Sequence, residues 1–89
     1  MKVQYRKSFL RNLKKLKGQP VYDKICELVF TTLPEVDRLR DVTGVKAMKG
    51  YPGRYRIRIG AYRIGIEVHG DNVEVMCVLH RREFYRYFP

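Results

Sequence analysis

Eighty-nine residues are enough for one domain, residues 1–89, with one sheet, a few helices and a modest core. Nineteen Lys and Arg against nine Asp and Glu give a formal net charge of +10, which points to nucleic acid, an anionic surface or an acidic protein as partner. A hydrophobic share of 45%, with seven Tyr and four Phe, excludes a disordered basic tail.

No run is apolar for long enough to cross a membrane, and the basic start of the chain has no apolar signal region, so a cytoplasmic protein is expected. Cys26 and Cys77 fall in apolar patterns without CxxC spacing, which predicts buried reduced thiols.

In chain order, Val3 and Tyr5 suggest a short first strand. Ser8 is placed to cap a helix carrying Phe9, Leu10, Leu13 and Leu16 on one side, with Arg11, Lys14, Lys15 and Lys17 outward, until Gly18 stops it. Pro20 opens a second helix whose stripe is Val21, Ile25, Leu28, Val29 and Thr32, and Pro34 ends it. The short Gly18-Gln19 link predicts an antiparallel helical hairpin covering one face of a sheet. Glu35 to Asp41 reads as an irregular connection.

From Val42 the balance shifts, because no acidic residue occurs between Asp41 and Glu67 while Lys46, Lys49, Arg54, Arg56, Arg58 and Arg63 accumulate. Gly50, Pro52 and Gly53 mark a loop. Arg54 to Val68 then alternates strictly: Tyr55, Ile57 and Ile59 take one face, and Arg54, Arg56 and Arg58 take the other. Gly60-Ala61 has the spacing of a tight hairpin turn, after which Tyr62, Ile64, Ile66 and Val68 resume the apolar face and Arg63 joins the arginines. Such a row of guanidinium groups repels itself, so a polyanion is expected to occupy it. A second hairpin at Gly70-Asp71 leads to Val73–Leu79, where Met76 and Val78 are also apolar, predicting a strand covered on both faces for part of its length. His80 to Pro89 is long enough for one helical turn or an ordered tail.

Metal binding and triad chemistry find no support, since His69 and His80 stand alone and no serine or cysteine is placed beside them. A basic, Tyr-bearing sheet face suits RNA, through phosphate contacts and base stacking. Lys46, Lys49, Arg54 and Arg82 are the candidate RNA-contacting cations. Cleavage is also within reach of such a face. RNA cuts itself once its 2′-hydroxyl is deprotonated and aligned, and fixed cations stabilise the charge growing on the phosphate. No cofactor is then required.

Three segments carry a family resemblance: Tyr55-Arg56-Ile57-Arg58, Gly60-Ala61-Tyr62-Arg63-Ile64 and His80-Arg81-Arg82-Glu83-Phe84-Tyr85. Together with the element order they are similar to the RelE/ParE toxin superfamily of toxin–antitoxin systems. The resemblance implies an α+β fold, a small antiparallel sheet of about four strands with the helical hairpin on one face. For the RelE branch it implies a metal-independent, ribosome-dependent endoribonuclease acting on mRNA in the A site, held in check by an acidic antitoxin. The matching site positions are Arg56, Arg58, Arg63, Arg81 and Tyr85. The family pattern has lysines where this chain has Arg56 and Arg58, and arginine does not give up a proton. The general base is thereby moved to Tyr85 or His80, or the site relies on orientation and charge alone. Two other readings stay open, a ParE-like inhibitor of DNA gyrase and a non-catalytic RNA-binding module.

Overall fold

A computed structural model describes the whole chain, Met1–Pro89. Strand β1 (Lys2–Tyr5) leads into helix α1 (Lys7–Lys14). Helix α2 begins at Tyr22–Glu27 and runs on through a π turn, Leu28–Thr32, and a last α turn, Leu33–Glu35. A 3₁₀ turn (Leu39–Asp41) precedes strands β2 (Val45–Ala47), β3 (Arg54–Ile59), β4 (Tyr62–His69) and β5 (Asn72–His80), and helix α3 (Arg81–Tyr87) closes the chain. No helix is long and apolar enough to cross a membrane.

The α+β architecture matches the sequence expectation, with one strand more than expected and a mixed sheet in place of an antiparallel one. The order is β1-β5-β4-β3-β2, and β1 runs parallel to β5 while every other pair is antiparallel. The extra strand is β2, inside the stretch that composition marks as loop. Three residues carry too little alternation to announce a strand, and it exists because β3 offers a free edge, with Val45, Lys46 and Ala47 opposite Ile57, Arg56 and Tyr55.

The main core lies between the helical hairpin and one sheet face. Phe9 and Leu13 of α1, and Ile25, Val29 and Leu33 of α2, meet Ile57, Ile64, Ile66, Val73, Val75 and Val78. Each such side chain withdrawn fully from water contributes roughly 1.5–3 kcal/mol. The opposite sheet face carries a second, smaller core in which Phe84 and Phe88 cover Met76, with Met48, Cys77 and Leu79 around them. The last strand is therefore covered on both sides, and the chain end forms two turns of helix. Both cysteines are free and partly buried, and burial pushes the Cys77 thiol up to about 11.

Ser8 does not cap α1. Arg6 holds the extended capping position with no side-chain bond, and Ser8 sits inside the helix. Its hydroxyl serves the sheet instead. Strand β1 pairs with β5 only from Asn72 to Val75, and beyond it α1 continues the ladder. Arg6 N–H donates to the Val75 carbonyl (2.9 Å), Ser8 Oγ to the Met76 carbonyl (2.7 Å), and Asn12 Oδ1 accepts from Val78 N–H (3.2 Å). An open strand edge is thus closed by a helix, which removes a site of unwanted strand pairing. Asn12→Ala leaves the Val78 amide without its partner and is expected to lower stability by about 1–3 kcal/mol in urea denaturation. A stability equal to that of the unsubstituted chain would show that water replaces the bond.

Candidate functional site

Strand β3 places Arg54, Arg56 and Arg58 opposite Glu67, Gly65 and Arg63 of β4. Directly opposed residues leave a sheet on the same side, so Arg63 shares a face with Arg56 and Arg58. The four arginines nevertheless differ in what holds them. Arg56 is half-buried, and its Nη1 donates to the Gly44 carbonyl at 2.8 Å. Arg63 is only 9% exposed and spends Nη1 on the carbonyls of Gly60 and Tyr62, both at 2.9 Å, which braces the β3–β4 turn. Arg58 points freely to solvent. Arg54 forms an ion pair from Nε to Glu67 Oε2 at 2.8 Å, and its guanidinium lies 5.6 Å from the Phe88 ring centroid. The hydrogen bond from Arg54, followed by one from His69, holds the Glu67 carboxyl below its usual range.

Helix α3 brings in the phenol. Its seat is Gly65, where a Cβ would stand 2.7 Å from Phe88 Cδ1, 2.8 Å from Phe88 Cε1 and 2.9 Å from Cys77 Sγ. Only a residue without a side chain lets the Phe88 ring lie this close to the sheet. Phe84, one turn earlier, is wholly buried, so its neighbour Tyr85 is turned outward and remains 58% exposed. The Tyr85 ring meets Phe84 edge-on, centroids 5.0 Å apart.

The result is a cleft of about 210 Å³ lined by Lys46, Ala47, Met48, Lys49, Arg56 and Tyr85. Lys46 stands directly opposite Arg56 in the β2–β3 ladder. Lys49 occupies a corner of the turn closed by Tyr51 N–H on the Met48 carbonyl (3.1 Å), with Gly50 at a positive φ of 83°. Sequence alone marked both lysines as candidate RNA-contacting cations, and the folded chain puts them in one cleft with Arg56.

Arg81 begins α3 at the hairpin tip, where its N–H donates to the Ala61 carbonyl at 2.8 Å; its side chain, like that of Arg82, is exposed. His80 is not with them. It pairs with Tyr62, which packs against the main core, and so leaves the sheet on the side of the helical hairpin. Its ring meets Tyr62 edge-on at 5.4 Å and its Nδ1 accepts from Arg82 N–H at 3.2 Å, making it the cap of α3.

A larger cleft of about 540 Å³ lies between α1 and the chain end, but two of its cations are already paired, Arg6 with Glu74 and Arg54 with Glu67. No three His, Cys, Asp or Glu side chains converge as metal ligands would.

A family model described as the ParE toxin of type II toxin–antitoxin systems matches residues 3–85. This chain belongs to the RelE/ParE toxin family. Toxin RelE3 of Methanocaldococcus jannaschii is 42% identical over 90 residues that span all of both proteins. Among solved structures, a chain of the RelB–RelE antitoxin–toxin complex from Methanococcus jannaschii matches with a TM-score of 0.79 and 37% identity, over 97% of this chain and 99% of that one. The archaeal RelE–RelB complex from Pyrococcus horikoshii has the same fold, with a TM-score of 0.70 at 21% identity over 90% of this chain and 93% of that one. Its RelE-type relatives make this family member a toxin of the RelE type.

If Gly65 seats the helix that carries Tyr85, a methyl group there should dislodge it. Gly65→Ala is expected to speed amide exchange through residues 81–88 at least tenfold while the α1 and α2 amides keep their protection. Unchanged exchange in the last helix would show that the Phe88 ring can shift without loss.

Proposed function

We propose that this RelE-type toxin is an endoribonuclease that cuts mRNA on the ribosome, in the cytoplasm, by metal-independent attack of a ribose 2′-hydroxyl on the adjacent phosphate. The observation that carries this reading is the cleft in which Arg56, Lys46, Lys49 and the exposed phenol of Tyr85 meet. Arg56 is aimed by a carbonyl acceptor, so its full positive charge is available to the phosphoryl oxygens that become more negative as the bond forms. One donor fixed in this way is worth about 3–4 kcal/mol of transition-state stabilisation. Arg58, Arg81 and Arg82 are exposed beside or beyond this cleft and suit neighbouring phosphates, while Arg63 acts through the hairpin it braces. Arg54, paired with Glu67 and lying by Phe88, supports the helix rather than the RNA. His80, on the far face, acts as the helix cap.

The shape of the site supports dependence on the ribosome. A shallow cleft can supply charge but cannot by itself hold a flexible strand with its 2′-oxygen in line, and a second body that fixes the RNA supplies that alignment. The codon-phased mRNA 5′ ends of cells expressing the toxin should carry hydroxyl groups. Arg56→Ala and Tyr85→Phe are each expected to reduce cutting by about 10²–10³-fold. The description of the matching family names ParE, so a DNA-break assay with gyrase belongs beside the RNA mapping. Breaks in DNA without cuts in RNA would establish the gyrase reading, and RNA retention with a steep salt slope but no cuts would establish plain binding.

A cognate acidic antitoxin is the expected partner, in line with the RelB–RelE complexes of the relatives. An acidic or amphipathic segment laid over the cleft, against the β2 edge or in place of α3 would mask the cations or remove Tyr85. Saturating antitoxin should raise the melting temperature and stop cleavage. Cleavage that persists in the complex would rule this mode of inhibition out.

A further inference from the structure

We propose that Lys46 is the group that takes the proton from the attacking 2′-hydroxyl, an assignment that rests on the nuclease reading above. The arginine strand has no base, because a guanidinium keeps its proton at any pH at which the protein is folded. His80 is excluded by place, since it leaves the sheet on the side of the helical hairpin with Nδ1 occupied by the Arg82 amide. Within the cleft only two side-chain types can exchange a proton, the lysines and Tyr85.

Lys46 is the better placed of the two lysines. As the direct partner of Arg56, it starts from a Cβ about 4.5–5.5 Å away and leaves the sheet on the same face. Gly44 fixes both sides of that arrangement. Its carbonyl accepts from Arg58 N–H at 3.0 Å and from Arg56 Nη1 at 2.8 Å, so the residue that docks the start of β2 also turns Arg56 towards β2. A Cβ on Gly44 would stand 2.7 Å from the Arg58 carbonyl oxygen, and its φ of 86° is open to glycine but costly for other residues. Both lysines are exposed, but Lys49 hangs from a turn corner outside the β2–β3 ladder, which suits a charge that follows a phosphate more than a base that must hold one line.

The step balances without a metal or co-reactant. The neutral amine of Lys46 accepts the 2′-hydroxyl proton and becomes an ammonium, and the 2′-oxygen forms its bond to phosphorus. The bond from phosphorus to the 5′-oxygen breaks, and that oxygen takes the phenolic proton of Tyr85. The products are a 2′,3′-cyclic phosphate and a 5′-hydroxyl end, with Arg56 facing the phosphoryl oxygens. Exchange with water then returns the ammonium and the phenolate to their starting forms.

The test is single-turnover cleavage on mRNA-programmed ribosomes across roughly pH 6 to 9. Wild type, Lys46→Arg and Lys49→Arg are compared, with ribosome binding measured by co-sedimentation and folding by circular dichroism. Wild-type cleavage should accelerate with pH, as a step that needs a proton acceptor does. Lys46→Arg keeps the positive charge but has no titrating amine, and should slow cleavage by about 10²–10⁴-fold and flatten the pH dependence while binding is retained. If Lys46→Arg cuts with the wild-type rate and profile, or if Lys49→Arg alone flattens the profile, the assignment to Lys46 is overturned and the nuclease reading stands. If the wild type itself makes no cut, the nuclease reading fails first and the base with it.

Discussion

The candidate site depends on the contact between the Phe88 ring and the bare backbone of Gly65. A helix two turns long has little stability of its own, and α3 is held by what Phe84 and Phe88 bury against Met76, Cys77 and Leu79. The Gly65 notch sets how closely the helix approaches the sheet. That approach places the outward residue of the same turn, Tyr85, at a cleft shared with Arg56. The sheet is therefore covered unequally: a helical hairpin covers most of one face, and a short terminal helix hides part of the other while leaving the cationic half open.

Charge is organised to the same end. The two central carboxylates of the sheet, Glu67 and Glu74, are paired with Arg54 and Arg6, away from the hairpin tip. Towards the tip, the arginines are oriented by neutral acceptors, Arg56 by the Gly44 carbonyl and Arg63 by the carbonyls of Gly60 and Tyr62. A carboxylate would orient an arginine equally well but would cancel its field, whereas a carbonyl fixes the direction and leaves the charge for an anion. The arrangement carries a cost in mutual repulsion. It is the kind of cost a protein bears where a polyanion, or an acidic partner, spends much of its time.

The RelE-type relatives place the chain among toxins that are held by an antitoxin, and an exposed cationic cleft is compatible with both a nucleic-acid substrate and an acidic inhibitor. The two need not occupy separate surfaces. The same unpaired cations would attract either, and the short α3 is the element whose removal would take Tyr85 out of the cleft.

Much of this was legible in the residues themselves. Strict alternation through Arg56, Ile57 and Arg58 assigned the charged and apolar faces of β3, the glycine at position 60 located the turn, and the count from there put Arg63 on the arginine side. Apolar residues at successive positions, Met76 and Val78 among them, told that β5 is covered twice, although a bulge opposite Gly65 and Ile66 puts Val78 in the main core and Cys77 and Leu79 on the side of Met76. What alternation could not tell was which strands become neighbours. The parallel pairing of β1 with β5, the use of Ser8 and Asn12 to finish the β5 edge, and the placing of Lys46 against Arg56 all join residues far apart in the chain or too few to carry a period. The same is true of Gly65, which reads as an ordinary weak point in a strand until Phe88 is seen to fill it, and of His80, whose face is set by its pairing with Tyr62. Local periodicity fixes which way a side chain leaves its own strand, because that depends only on backbone geometry. Which groups then meet across a cleft depends on how distant elements pack to hide their apolar surfaces, and that was decided only when the chain closed on itself.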